Sequence, residues 1–160
     1  MEEKIIAIKM VIDAWSSGVA KMKTILSSLS DEDFENSIGN DKVNYIIAHL
    51  TAINDLTIEV LGIGEINNMN LYNYFKVYET KLPLPISNKE LLKLWTITCE
   101  QIDLKIKDFT PDDWFGKHTA VTIKEFNKEP DRNKLNVLLN RSHRMATAVG
   151  QLSLFNKSKS

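Results

Sequence analysis

Cysteine is almost missing from this chain, and the single one, Cys99, excludes an internal disulfide. Its setting, Ile97-Thr-Cys-Glu-Gln-Ile102 on an expected helix, reads as a packed thiol more readily than a nucleophile. Excess charge is missing as well. Lysine and arginine total 20 against 21 acidic residues, a formal net charge of -1, so there is no basic field to steer nucleic acid. No apolar run approaches membrane-spanning length, and the start, Met-Glu-Glu-Lys, lacks the basic region and apolar stretch of a secretory signal. The expectation is a soluble, cytoplasmic protein with neither membrane nor nucleic acid as partner. The remainder is ordinary for a globular chain: 160 residues, 43% hydrophobic and 26% charged, enough for one domain with its own core.

What is present is helical periodicity. Ile5, Ile8, Ile12, Trp15, Val19, Met22, Leu26 and Leu29 alternate in steps of three and four, which keeps one stripe on one helix face. Such a repeat favours nearly antiparallel packing against other helices. A second helix is expected from about Asp41 to Leu61, with Val43, Ile46, Ile47, Leu50, Ile53, Leu56 and Val60 as its apolar arc. From Glu65 to Pro85 the pattern fails, which predicts a long crossover with one short helix around Tyr72 to Tyr78. Ser87-Asn-Lys-Glu90 is a capping box opening a third helix, which stops at Thr110-Pro111. Val121, Ile123 and Phe126 alternate, predicting an extended excursion or hairpin before a fourth helix from Pro130-Asp131 to about Phe155. The tail, Asn156 to Ser160, is expected to fray. The fold class is therefore all-α, a four-helix bundle in a single domain. One internal echo, Leu29-Ser-Asp-Glu-Asp-Phe34 against Phe109-Thr-Pro-Asp-Asp-Trp114, comes after the first and third helices. It is either a duplicated helical hairpin or chance repetition of an acidic helix start.

On a helical wheel His49 falls between Leu56 and Val60, inside the apolar arc of the second helix. On the fourth helix Asn136, Asn140, His143 and Thr147 are spaced four, three, four as an uncharged polar stripe, with Lys134, Arg141 and Arg144 expected to point elsewhere. An uncharged row suits a half-buried cleft wall, or equally a helix–helix or dimer surface. His118, in an irregular stretch, reads as a surface residue.

With these residues in place, the chain resembles the DinB family of small four-helix-bundle proteins, the DinB/YfiT-like metal enzymes. The resemblance spans essentially the whole sequence and rests on three features: Ile46-Ile-Ala-His49-Leu50, the Asp-Asp-Trp turn after the third helix, and a final helix carrying Gly150-Gln151. It implies one divalent metal, zinc or nickel, held by a histidine of the second helix and two of the fourth. His49 and His143 match the first two ligand positions; the third is Thr147, a neutral and weakly basic oxygen. Asn140 or Asp55 could supply an oxygen instead. By resemblance Gly150 would let another helix approach closely, and Gln151 would tie the cleft. The activity implied is a metal-dependent hydrolase or thiol transferase; the alternative is a non-catalytic bundle that binds a small ligand or a protein and has lost the ion. Pairing into a homodimer is implied as well.

Overall fold

The three-and-four apolar spacing of the first segment builds one helix, α1 (Glu2–Ser28), which buries Trp15, Met22, Ile25 and Leu26. In this computed structural model, which describes residues 1–77 and 82–159, six more α-helices come after it. They are α2 (Val43–Val60), α3 (Met69–Lys76), α4 (Asn88–Lys105), α5 (Pro111–Phe115), α6 (Ile123–Lys128) and α7 (Lys134–Ser158). Strand pairing among the described residues is limited to a hairpin of β1 (Ser37–Ile38) and β2 (Asp41–Lys42), plus one bridge between Lys117 and Asn133. The fold is all-α. Among the described residues no helix is long and apolar enough to cross a membrane.

The four long helices share one apolar core. α1 lies chiefly against α7, and α2 against both α4 and α7. Between α1 and α4 the Trp15 indole donates to the Asp103 carboxylate at 2.7 Å. Met22, Ile47, Ile58, Leu91, Ile102, Leu138 and Met145 are fully enclosed at the centre, each burial contributing about 1.5–3 kcal/mol. Cys99 belongs to the same core, with burial pushing its thiol up to about 12. The close helix approach expected at Gly150 is made elsewhere. A methyl group at Gly150 would meet nothing within 4 Å, whereas at Gly18 it would sit 2.8 Å from Met145 Cγ, where α1 meets α7. The apolar stripe of α1 also starts later than its spacing suggests, since Ile5 is 52% exposed.

Two local expectations are corrected. The segment expected to be extended forms α6, because Thr122-Ile-Lys-Glu125 is itself a capping box: the Thr122 amide donates to Glu125 at 2.7 Å and the Glu125 amide to Thr122 Oγ1 at 3.2 Å. The tail is fastened through Lys159: Asn156 Nδ2 donates to Ser28 Oγ at 2.9 Å, and Lys159 Nζ to Asp33 at 2.7 Å. Within the crossover, α3 begins at Asn68, whose side chain accepts from the Leu71 amide at 2.9 Å; Tyr78 lies outside the described residues.

The internal echo is matched by shared geometry. The Ser30 amide donates to the Asp33 carboxylate at 2.8 Å, and the Asp33 amide to Ser30 Oγ at 3.3 Å. The Thr110 amide donates to the Asp113 carboxylate at 2.8 Å, and the Asp113 amide to Thr110 Oγ1 at 3.2 Å. Phe34 and Trp114 then enter the core. Three residues after each aspartate, a carbonyl receives the first amide of the next long helix: Asn36 from Val43 at 2.8 Å, Gly116 from Lys134 at 3.1 Å. The bridges Ser37–Lys42 and Lys117–Asn133 sit at the same place in each half.

Candidate functional site

Where α2 and α7 run side by side, a cleft of about 310 Å³ opens between them. Residues three and four apart share a helix face, so Tyr45, His49 and Ile53 form one wall while Arg144, Thr147, Ala148 and Gln151 form the other. Ile46 and Leu50 complete the α2 wall, and Asp41 of β2 joins the lining just before the start of α2. A second cavity of about 440 Å³ adjoins it on the α3 side, lined by Ala52, Leu56, Tyr72, Phe75 and Lys76; His49 and Ile53 belong to both. α3 is held over α2 by Asp55. This buried carboxylate accepts from the Asn67 amide at 2.9 Å, Asn67 Nδ2 at 2.8 Å and the Asn68 amide at 2.8 Å. Its oxygens are committed to the loop.

His49 is not in the dry core its wheel position suggests. It sits at the exposed rim where the two cavities meet. The imidazole stacks on Tyr45, with ring centres 6.4 Å apart and planes 16° apart, and lies 5.0 Å from the Phe75 ring. Phe75 in turn meets Tyr45 and Tyr74 edge-on at 5.3 and 5.0 Å. Partial burial holds the imidazole below its ordinary value; the Arg144 charge acts in the same direction and Asp41 opposes both. Neutral His49 offers one nitrogen donor and one acceptor at the cleft.

Of the polar residues singled out from sequence, the cleft brings together His49, Thr147 and Gln151, whereas His143, Asn136 and Asn140 are absent from its lining. His143 is exposed on α7, and its carbonyl accepts from Thr147 Oγ1 at 3.1 Å. The two asparagines bond to backbone nearby in the chain: Asn140 Nδ2 donates to the Asn136 carbonyl one turn back at 3.0 Å, and Asn136 Nδ2 to the carbonyl of Asp131, in the turn before α7, at 2.9 Å. His118 also lies outside this cleft, its Nδ1 accepting from the Ala120 amide at 3.2 Å. Its imidazole is held low by burial, then by Arg132, Lys117 and Arg141.

Arg144, expected to point away, is a cleft residue. The spacing carried the signal: Arg144 and Gln151 lie three before and four after Thr147, as Tyr45 lies four before His49. Arg141 does turn aside. Its Nε donates to Thr57 Oγ1 at 2.6 Å, and burial, helped by the charge of Arg144, brings its guanidinium down to about 10.

Among the described residues, no three His, Cys, Asp or Glu side chains gather to hold a metal. At the cleft, one imidazole faces a threonine hydroxyl and a single carboxylate. No family model matches the chain, and no curated protein matches it either.

Proposed function

We propose that this chain is a four-helix bundle of the DinB/YfiT-like kind that binds a small polar ligand between α2 and α7, as a binding protein with no resident ion. One observation carries the reading. The cleft presents Asp41, Arg144, Thr147 and Gln151 around a neutral His49, and among the described residues neither Asp41 nor Arg144 forms an ion pair. Small-molecule sites combine apolar lining with a few convergent polar groups in cavities of roughly 300–1,000 Å³, which is the composition here. Thr147, in place of a third imidazole, favours the ion-free version.

The test is a thermal-shift screen of small polar molecules in chelator. A stabiliser that persists in chelator and is lost in His49→Ala supports the reading; no stabiliser, or one abolished by chelator, removes it.

The second reading is a metal-dependent hydrolase or thiol transferase, favoured by an imidazole held neutral with a lone pair to give. His49 and His143 would then contribute ligands, and zinc or nickel would make a bound water or thiol acidic. Elemental analysis of untagged protein, repeated on His49→Ala and His143→Ala, decides it. Stoichiometric metal lost in both variants would replace the ion-free reading. Pairing into a homodimer is part of the DinB-like proposal, checked by sedimentation at several concentrations.

A further inference from the structure

The two cavities that meet at His49 differ in character. On the α7 side one cation and one anion, Arg144 and Asp41, line the same small space. Among the described residues neither side chain makes a hydrogen bond or an ion pair with the other or with any third residue. Both lie close enough to the His49 ring to act on it, with opposite sign. Opposite charges that share a cleft without neutralising one another suit a ligand bearing both signs. On the α3 side the wall is apolar and aromatic: Ala52, Leu56, Tyr72 and Phe75, with the Lys76 ammonium turned over the Tyr72 ring at 4.5 Å. Leu56 is half-buried there and the Phe75 ring is partly open, so each has apolar surface to give to a visitor. Residues His49 and Ile53 form the saddle between the two halves.

We propose that the ligand of this cleft is a small zwitterion with a large apolar or aromatic body, of which a free α-amino acid with an aromatic side chain is the simplest. Its carboxylate pairs with Arg144, where the Gln151 side-chain amide can add a donor, and its ammonium pairs with Asp41. Its side chain crosses His49 to lie against Leu56, Tyr72 and Phe75. The inference rests on the small-ligand reading of the cleft and deepens it. Paired recognition of both charges gives selectivity: a probe lacking one charge leaves Arg144 or Asp41 with water, and one lacking the body leaves the aromatic cavity wet.

The experiment is calorimetric titration of the full chain with four probes. These are L-phenylalanine, 3-phenylpropionate (no ammonium), 2-phenylethylamine (no carboxylate) and glycine (no body). L-Phenylalanine is expected to bind with Kd on the order of 1 mM, the scale for a ligand of this size in an open site. The three partial probes are expected to bind at least about tenfold more weakly. Arg144→Gln should bring L-phenylalanine down to the level of 2-phenylethylamine without changing the latter. Asp41→Asn should do the same relative to 3-phenylpropionate, and Arg144→Lys should retain most of the affinity. Both side chains replaced are exposed and unbonded, and unchanged melting temperatures would confirm that the variants fold. If a single-charge probe binds as tightly as L-phenylalanine, or either neutralising variant leaves it unaffected, the zwitterion is overturned while the cleft reading stands. If none of the four probes binds, the zwitterion is overturned too, and the screen in chelator decides the cleft reading on its own.

Discussion

The turn after α1 and the turn after α4 close with the same reciprocal pair of hydrogen bonds, Ser30 with Asp33 and Thr110 with Asp113, and each sends an aromatic ring inward. They differ in the segment each leads into. In the first half residues 37–42 make a bare hairpin whose reversal uses Gly39 at φ 62; in the second, residues 117–133 carry α6 and bury Val121 before the chain returns. Both nonetheless deliver the next long helix to a carbonyl three residues past the aspartate. Seating α2 and α7 therefore depends on the capped turn and the paired mouth, while the intervening segment is free to lengthen, because loop closure costs little more for a longer loop. The two aspartates are also held low by different partners. For Asp33 the largest influence is Lys159, then the Ser30 amide; for Asp113 it is the Thr110 hydroxyl, then the Thr110 amide.

The comparison breaks most visibly at the aromatic anchors. Trp114→Ala should cost about 3–5 kcal/mol, and Phe34→Ala a similar amount if the halves are equivalent. Urea unfolding measures both, and a gap above about 2 kcal/mol would show that one turn carries the fold alone. A smaller effect is expected at the caps. Thr110→Ala should cost about 1 kcal/mol and Ser30→Ala about as much, since each removes the acceptor of one aspartate amide. Two equal losses in chemical denaturation would extend the equivalence to the hydroxyls; a silent Ser30→Ala would confine it to the second half.

Acid gives the smallest effect and the sharpest contrast. Both carboxyls titrate lower folded than unfolded, so their stabilisation is complete above the unfolded value near 4 and disappears as pH falls through the lowered folded values. Melting temperature should drop over that window. Added salt should weaken the contribution of Asp33, which rests on an ion pair with Lys159, more than that of Asp113, which rests on a hydroxyl. Asp33→Asn and Asp113→Asn, melted at low and high salt, separate the two; equal salt responses would contradict the assignment.

The sequence made the four long helices legible because their apolar faces repeat over many turns, and it located the Ser87 cap and the helix stop at Thr110-Pro111 because those signals are local. It misplaced α6, where six residues are too few to show a helical period and the alternation of Val121, Ile123 and Phe126 mimicked a strand; only the Thr122–Glu125 cap told them apart. In the candidate site, His49 and Thr147 could be found from their places on helix faces. Asp41 could not, because it reaches the cleft from a hairpin whose direction depends on Gly39 and on the pairing of Ile38 with Asp41. Phe75 was equally hidden, since its place against His49 depends on Asp55 gripping a loop twelve residues downstream.

The pairing of α1 with α7 sets an order on biosynthesis. α1 finds its main neighbour only when α7, more than a hundred residues downstream, emerges from the ribosome, so Met22, Ile25 and Leu26 stay uncovered while the intervening helices are being made. Contacts between such distant stretches delay closure, and the interval leaves a sticky rod open to chaperones or to neighbouring nascent chains.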